Sequence, residues 1–296
     1  MCVTIPTEIN QKITDLVRSK RTELPTLPVI VENILGTARS ERSSAKDLAY
    51  FIEKDQAISN KILRLANSAY YGLMKKVDSI SRAITVIGFN EIISLTIGMS
   101  VFSTFHQKDT HGIFDMRDLW LHSIGCASAA KEVAKKRGLR ETEQFFLNGI
   151  LHDMGKIILA VYFPKEYRAV LEDAKETKTL LYHKEKEILG IDHSMISGLL
   201  MEIWHFPESI LLPTRFHHNS VECPITYRHH AMIIELADFL CQKAQIGHSG
   251  NPAIPKSERI GVKLGISLRD MEMIVSELND QRSKIEEFLK LTYESA

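Results

Sequence analysis

Residues 148–159 read NGILHDMGKIIL. The run looks like the buried face of a helix, yet its centre carries adjacent His152 and Asp153. Burying a carboxylate without a partner costs several kcal/mol, on the order of what a whole fold has to spare, or forces the acid to neutralise. Lys156 stands one helical turn beyond His152, so a continuous helix puts both on one face. The fold therefore has to bring other groups to positions 152 and 153.

Outward from this run, the periodicity is helical almost throughout. Apolar residues recur at three- and four-residue intervals over 47–56 and 57–72, the latter stopping at Gly72. The pattern repeats over 79–87, breaks at Gly88 and resumes over 90–105. A helix over 119–134 runs into the basic KKRG at 135–138, which suits a helix C-terminus. A single helix is expected over 141–161, stopped before Pro164. Shorter amphipathic segments follow at 165–176, 179–189, 193–204 and 208–218, then a helix over 227–245 and two more within 267–296. No strand alternation or hairpin dipeptide appears. The expectation is an all-α chain built as a two-lobed helical bundle. Residues 107–112 and 247–255 (GHSGNPAIP) are rich in polar residues, Gly or Pro and read as linkers.

The 37 basic and 37 acidic residues cancel, so no general affinity for nucleic acid is expected. The four cysteines form no CxxC pair, which argues against a zinc ribbon or a thioredoxin-like site. The N-terminus lacks the basic start and apolar core of a signal peptide. The apolar stretch 92–105 is shorter than the ~20 residues of a membrane span. A reduced cytoplasm and no membrane association are the expectations.

Five of the twelve histidines, His122, His152, His193, His217 and His218, lie among apolar or small residues, as do Asp153 and Asp238. The other seven read as surface residues. Taken singly, His193 reads equally as a hydrogen-bonded core residue, the 217–218 pair as a polar helix end, and Asp238 as a cap. Lys156 alone reads as a lysine reaching solvent from a helix end. Together, imidazoles and carboxylates from different helices become tolerable if they converge on a cation. A nitrogen and oxygen donor set without thiolate suits iron or manganese, with zinc, nickel and magnesium left open. Seven ligands are too many for one ion, and two cations about 3.5–4 Å apart sharing a carboxylate are the natural arrangement.

The order His, His-Asp, His, His-His, Asp within LWLHSIGCASAAKEVAKKRG…FLNGILHDMGKIIL resembles the HD superfamily of metal-dependent phosphohydrolases. LPTLPVIVENIL, DQAISNKILRLANSAYYG and SISRAITVIGFNEIISL resemble the HDOD domain, a helical output domain of bacterial signalling proteins. The resemblance covers 21–218, with an N-terminal helical lobe at 21–106 and an HD-like lobe at 112–218. A helix at 1–20 precedes it, and C-terminal helices at 219–296 follow, of which 226–245 complete the HD-like lobe. The resemblance implies that His122, His152, Asp153, His193, His217, His218 and Asp238 are metal ligands. It further implies phosphohydrolase or phosphodiesterase chemistry on a phosphate ester or cyclic nucleotide, with Asp153 and Lys156 in catalytic roles. The Gly-Tyr-Pro motif of the related HD-GYP phosphodiesterases is missing from HHNSVECPITYRHH, which argues against cyclic-di-GMP as native substrate. The alternative is a non-catalytic signalling adaptor whose metal site is structural or vestigial. The expected partner is accordingly a signalling protein or a phosphate-containing small molecule.

Overall fold

The computed structural model describes residues 24, 26–39, 44–105 and 108–293. The helix expected at 1–20, and His106, lie outside the described residues. Every regular element among the described residues is a helix, so the chain is all-α. It divides into two compact units, Leu27–Gln107 joined by Asp280–Ala296, and Lys108–Asn279.

The first unit contains α1 (Val29–Arg39), α2 (Ala45–Glu53), α3 (Gln56–Ala66), α4 (Ile80–Ile87), α5 (Phe89–Phe105) and the terminal helix Arg282–Tyr293. Side-chain caps fix several starts. Ser44 and Asp47 close a capping box on α2, Asp55 accepts the Ile58 N–H, and Ser79 accepts the Arg82 N–H. Gly88, at φ 110°, ends α4, and the chain bends by 119° into α5. Residues 91–102 of α5 are buried on every side, which makes α5 the core of this unit. The NSAYYG block holds the loop beside it. The Asn67 side chain donates to the Leu63 and Val77 carbonyls and accepts the Val77 N–H. The Tyr71 hydroxyl donates to buried Glu91 at 2.8 Å. The terminal helix packs on α3 and α5, setting Phe288 edge-on to Tyr70 and Tyr293 edge-on to Phe102. The sequence-based boundary at 219 groups this helix with those before it, whereas the structure divides the chain at Asp280.

The second unit contains α6 (Met116–Lys136), α7 (Glu143–Leu151), α8 (Met154–Tyr162), α9 (Pro164–Thr177), α10 (Leu181–Leu189), α11 (His193–Ile203), α12 (Glu208–Arg215), α13 (Ile225–Lys243), α14 (Glu258–Lys263) and α15 (Leu268–Asp280). α6 lies against α7 and α13, and α8 lies against α11. The helix expected over 141–161 is in fact two, interrupted at His152 and Asp153. Gly155 packs so tightly on α11 that a Cβ would overlap the His193 carbonyl. The Gly155 N–H donates to Ser197 Oγ at 2.8 Å, and that hydroxyl lies 2.9 Å from the His152 and His193 carbonyls. A hydroxyl from α11 thus satisfies backbone groups left open by the break. Together Glu143–Tyr162 has the length and hydropathy of a membrane span, but 89% of that window is buried inside the fold.

The segment 247–255 is no loose linker. Gly247, at φ 61°, presses on the α6 backbone at His122 and Asp118, and the His248 N–H donates to the Asp118 carbonyl. Ser249 behind it is 4% exposed. Glycine and proline here give a tight turn against the core, which composition alone does not distinguish from a flexible link.

Candidate metal centre

Five elements of the second unit deliver the predicted ligands. His122 projects from α6, His152 and Asp153 from the break between α7 and α8, His193 from the first turn of α11, His217 and His218 from just beyond α12, and Asp238 from α13. All but the half-buried His218 are at most 3% exposed. His152 keeps helical angles (φ −59°, ψ −38°) and Asp153 departs from them at φ −95°, ψ 8°, so the interruption turns the chain just after the adjacent pair.

Asp153 sits between two histidine sets. Its Oδ1 lies 3.1 Å from His193 Nε2, and its Oδ2 lies 3.4 Å from His152 Nε2 and 3.8 Å from His122 Nε2. Asp238 Oδ1 lies 3.0 Å from His122 Nε2. His193, His217 and His218 bring their ligand atoms within 4.8 Å of one another, as do His122, His152 and Asp153. Ring centroids of His217 and His218 are 4.0 Å apart, and His218 Nε2 is 2.9 Å from His193 Nε2.

Four of the imidazoles are held by their outer nitrogen. His152 Nδ1 lies 2.7 Å from the Gly149 carbonyl and His217 Nδ1 lies 2.7 Å from the Thr214 carbonyl. A carbonyl only accepts, so Nδ1 carries the proton and Nε2 of a neutral ring keeps its lone pair for the centre. His193 Nδ1 faces Glu185 Oε2 at 2.6 Å, and His122 Nδ1 faces Cys241 Sγ at 3.6 Å. The inner atoms are the ones left over. His152 Nε2 and His217 Nε2 are buried with no hydrogen-bond partner, and His122 Nε2 and Asp153 Oδ1 also lack one of adequate geometry. Buried polar atoms in this number without partners are rare in a native fold. They fit a divalent cation bound among them.

The electrostatics run the same way. Burial opposes charging His122, but Cys241 and Asp238 outweigh it and hold the imidazole up at about 10. Burial likewise opposes charging His193, and Glu185 and Asp153 raise it to about 9. Burial pushes His152 down, and with the neighbouring imidazoles it pushes His217 down to about 3 and His218 well below its usual value. Burial would raise Asp153 and Asp238, but His152 and Lys156 hold the first, and His122 the second, below the ordinary carboxylate range. The acids stay ionised and draw positive charge onto the cluster.

Lys156 does not reach solvent. It is 1% exposed, and its ammonium donates to Asp153 Oδ2 at 2.8 Å and to the Ser249 carbonyl at 3.0 Å. Its partner one turn back is Asp153, three residues earlier, and not His152. Three contributors escaped sequence reasoning. Glu185 sits in the charged run LYHKEKEIL, where one acid looks like another. Ser197 acts through a hydroxyl in an ordinary helix, and Ser249 through its backbone. Of the histidines read as surface residues, His230 departs from that reading: its Nδ1 is buried without a partner and its ring meets Phe145 edge-on.

Comparison with known proteins agrees with this architecture. Residues 24–220 match the HDOD domain. An HDOD domain protein of unknown function from Geobacter sulfurreducens has the same fold, with a TM-score of 0.78 and 24% identity over 96% of this chain and 98% of that one. So has a protein from Shewanella amazonensis SB2B proposed to be a phosphohydrolase, with a TM-score of 0.74 and 24% identity over 93% of this chain and 97% of that one. A protein of Treponema pallidum (strain Nichols) is 23% identical over 225 residues, 75% of this chain and 43% of that protein. The chain thus spans less than half the length of that relative. By the extent of the match over residues 24–220, this chain belongs to the HDOD domain family.

Proposed function

We propose that the chain binds two divalent cations and acts in signal transduction by hydrolysing a phosphate ester or a cyclic nucleotide. The carrying observation is Asp153, whose two oxygens face different histidine sets. One half of the centre comprises His122, His152, Asp153 and Asp238. The other comprises His193, His217 and His218, with Asp153 shared. The mixed nitrogen and oxygen donors suit iron or manganese. Cations bound there supply the positive charge that polarises a phosphoryl oxygen. Lys156 fixes the Asp153 carboxylate and offsets its charge, and it retains one proton of its three for a phosphate oxygen. His218 is the half-buried member of the set, and on this reading a substrate approaches the centre past it.

A second reading rests on the depth of the centre. With His152, Asp153, His193, His217 and Lys156 all at most 2% exposed, bound cations also serve as a staple across five elements, and the protein is then an adaptor that docks a signalling partner. One experiment separates the two. Metal-replete protein is assayed on aryl phosphate mono- and diesters and on cyclic nucleotides, beside the Asp153→Ala variant. Turnover that falls by about 10²-fold or more in the variant supports hydrolysis. A wild type that melts lower in chelator, yet turns over nothing on the panel, selects the adaptor.

A further inference from the structure

Glu185 on α10 is fully buried at 0% exposure. Its Oε2 accepts both the backbone N–H of His193, at 2.9 Å, and the Nδ1–H of the same residue, at 2.6 Å. Its Oε1 accepts the hydroxyl of Tyr167, itself 0% exposed, at 3.0 Å. A mere brace between α9, α10 and α11 would be made more cheaply by an amide, because an enclosed carboxylate carries a desolvation penalty of several kcal/mol, roughly.

The two halves of the centre show what the charge is for. The half with His122 and His152 has Asp238 to itself and shares Asp153. The half with His193, His217 and His218 consists of imidazoles and has only the other oxygen of Asp153. The outer nitrogens of His152 and His217 meet the Gly149 and Thr214 carbonyls, and that of His122 meets the Cys241 sulfur, so none of the three meets a carboxylate. Among the described residues, the one ligand imidazole backed by a carboxylate lies in the carboxylate-poor half. A carboxylate behind a ligating histidine fixes its tautomer and strengthens its donor nitrogen.

We infer that Glu185, steadied by Tyr167, is a positioning residue that sets the cation affinity of the three-histidine half of the centre. The inference rests on the two-cation reading above. It predicts that the halves load unequally and that Glu185 acts on one of them alone.

The test is a titration of the metal-stripped full chain with Co2+, followed by calorimetry and visible absorption, in wild type, Glu185→Gln and Tyr167→Phe. Glu185→Gln keeps the size and the acceptor oxygen and removes the charge. Wild type is expected to take up Co2+ in two steps. In Glu185→Gln the weaker step falls by roughly 10–100-fold, the size usual for such an outer partner, while the tighter step and the melting temperature of the stripped protein stay. Tyr167→Phe shifts the same step in the same direction by less, and it carries the test should Glu185→Gln not fold. Two unchanged steps overturn the inference and leave the two-cation reading intact, and a loss shared equally by both steps shows a structural brace instead. A wild type that takes up no Co2+ overturns both.

Discussion

Asp153 presents one oxygen to His193 and the other to His122, His152 and Lys156. A residue shared in this way cannot be lost by one half alone. Asp153→Asn keeps the shape and removes the charge, and the variant is predicted to purify folded but with at least ~10-fold less bound metal, measured by elemental analysis. A second buried charge, far from this chemistry, makes a contrasting case. Lys61 in the first unit is 2% exposed with the Ser103 hydroxyl 2.9 Å from its ammonium. Burial lowers its pKa from 10.5, against a smaller opposing pull from Asp55. A lysine with a depressed native pKa destabilises the fold while protonated, and the penalty fades as pH rises from that pKa to the unfolded value. Lys61→Met is therefore predicted to unfold at higher denaturant than wild type at neutral pH, with the gap narrowing in alkaline buffer. A gap that widens with pH would show that Lys61 is stabilising. At this scale the clustered side chains were legible because imidazoles and acids stood out in apolar runs. Glu185 was not, because its neighbours on α10 are charged too.

The element that carries the adjacent His152 and Asp153 is the interruption between α7 and α8. It was illegible because apolar periodicity runs through it unbroken from Phe145 to Leu159, and nothing in composition marks Asp153 as leaving helical geometry. What holds it is tertiary: Gly155 against the His193 carbonyl and the Ser197 hydroxyl among three backbone groups. Gly155→Ala is predicted to destabilise by about 1–3 kcal/mol or more, since backbone, not a flexible side chain, meets the new methyl. Ser197→Ala is predicted to cost about 1–2 kcal/mol, because it strands the Gly155 N–H. Denaturant unfolding measures both. Metal content should fall in Gly155→Ala as well, since the new methyl pushes the break, with His152 and Asp153, away from the start of α11, which carries His193.

At the scale of the molecule, helical class and the identity of the family were both carried by local pattern, in the periodicity and in the NSAYYG block. The placement of the terminal helix Arg282–Tyr293 with α3 and α5 was not, because an amphipathic stripe shows that a face is buried without showing against what. The same holds for the turn at 247–255, whose value lies in a carbonyl offered to Lys156. A cation that binds only the folded chain raises its stability by mass action, about 2.7 kcal/mol at a hundredfold excess over Kd. Chelation is thus predicted to lower the melting temperature by roughly 5–10 °C for a unit of this size. The most direct measurement is anomalous X-ray scattering from a crystal of manganese-reconstituted protein, collected on both sides of the metal edge. Two peaks about 3.5–4 Å apart, one on each side of the Asp153 carboxylate, are the predicted result. A map without density between His152 and His217, or with metal only on surface histidines, would contradict the account.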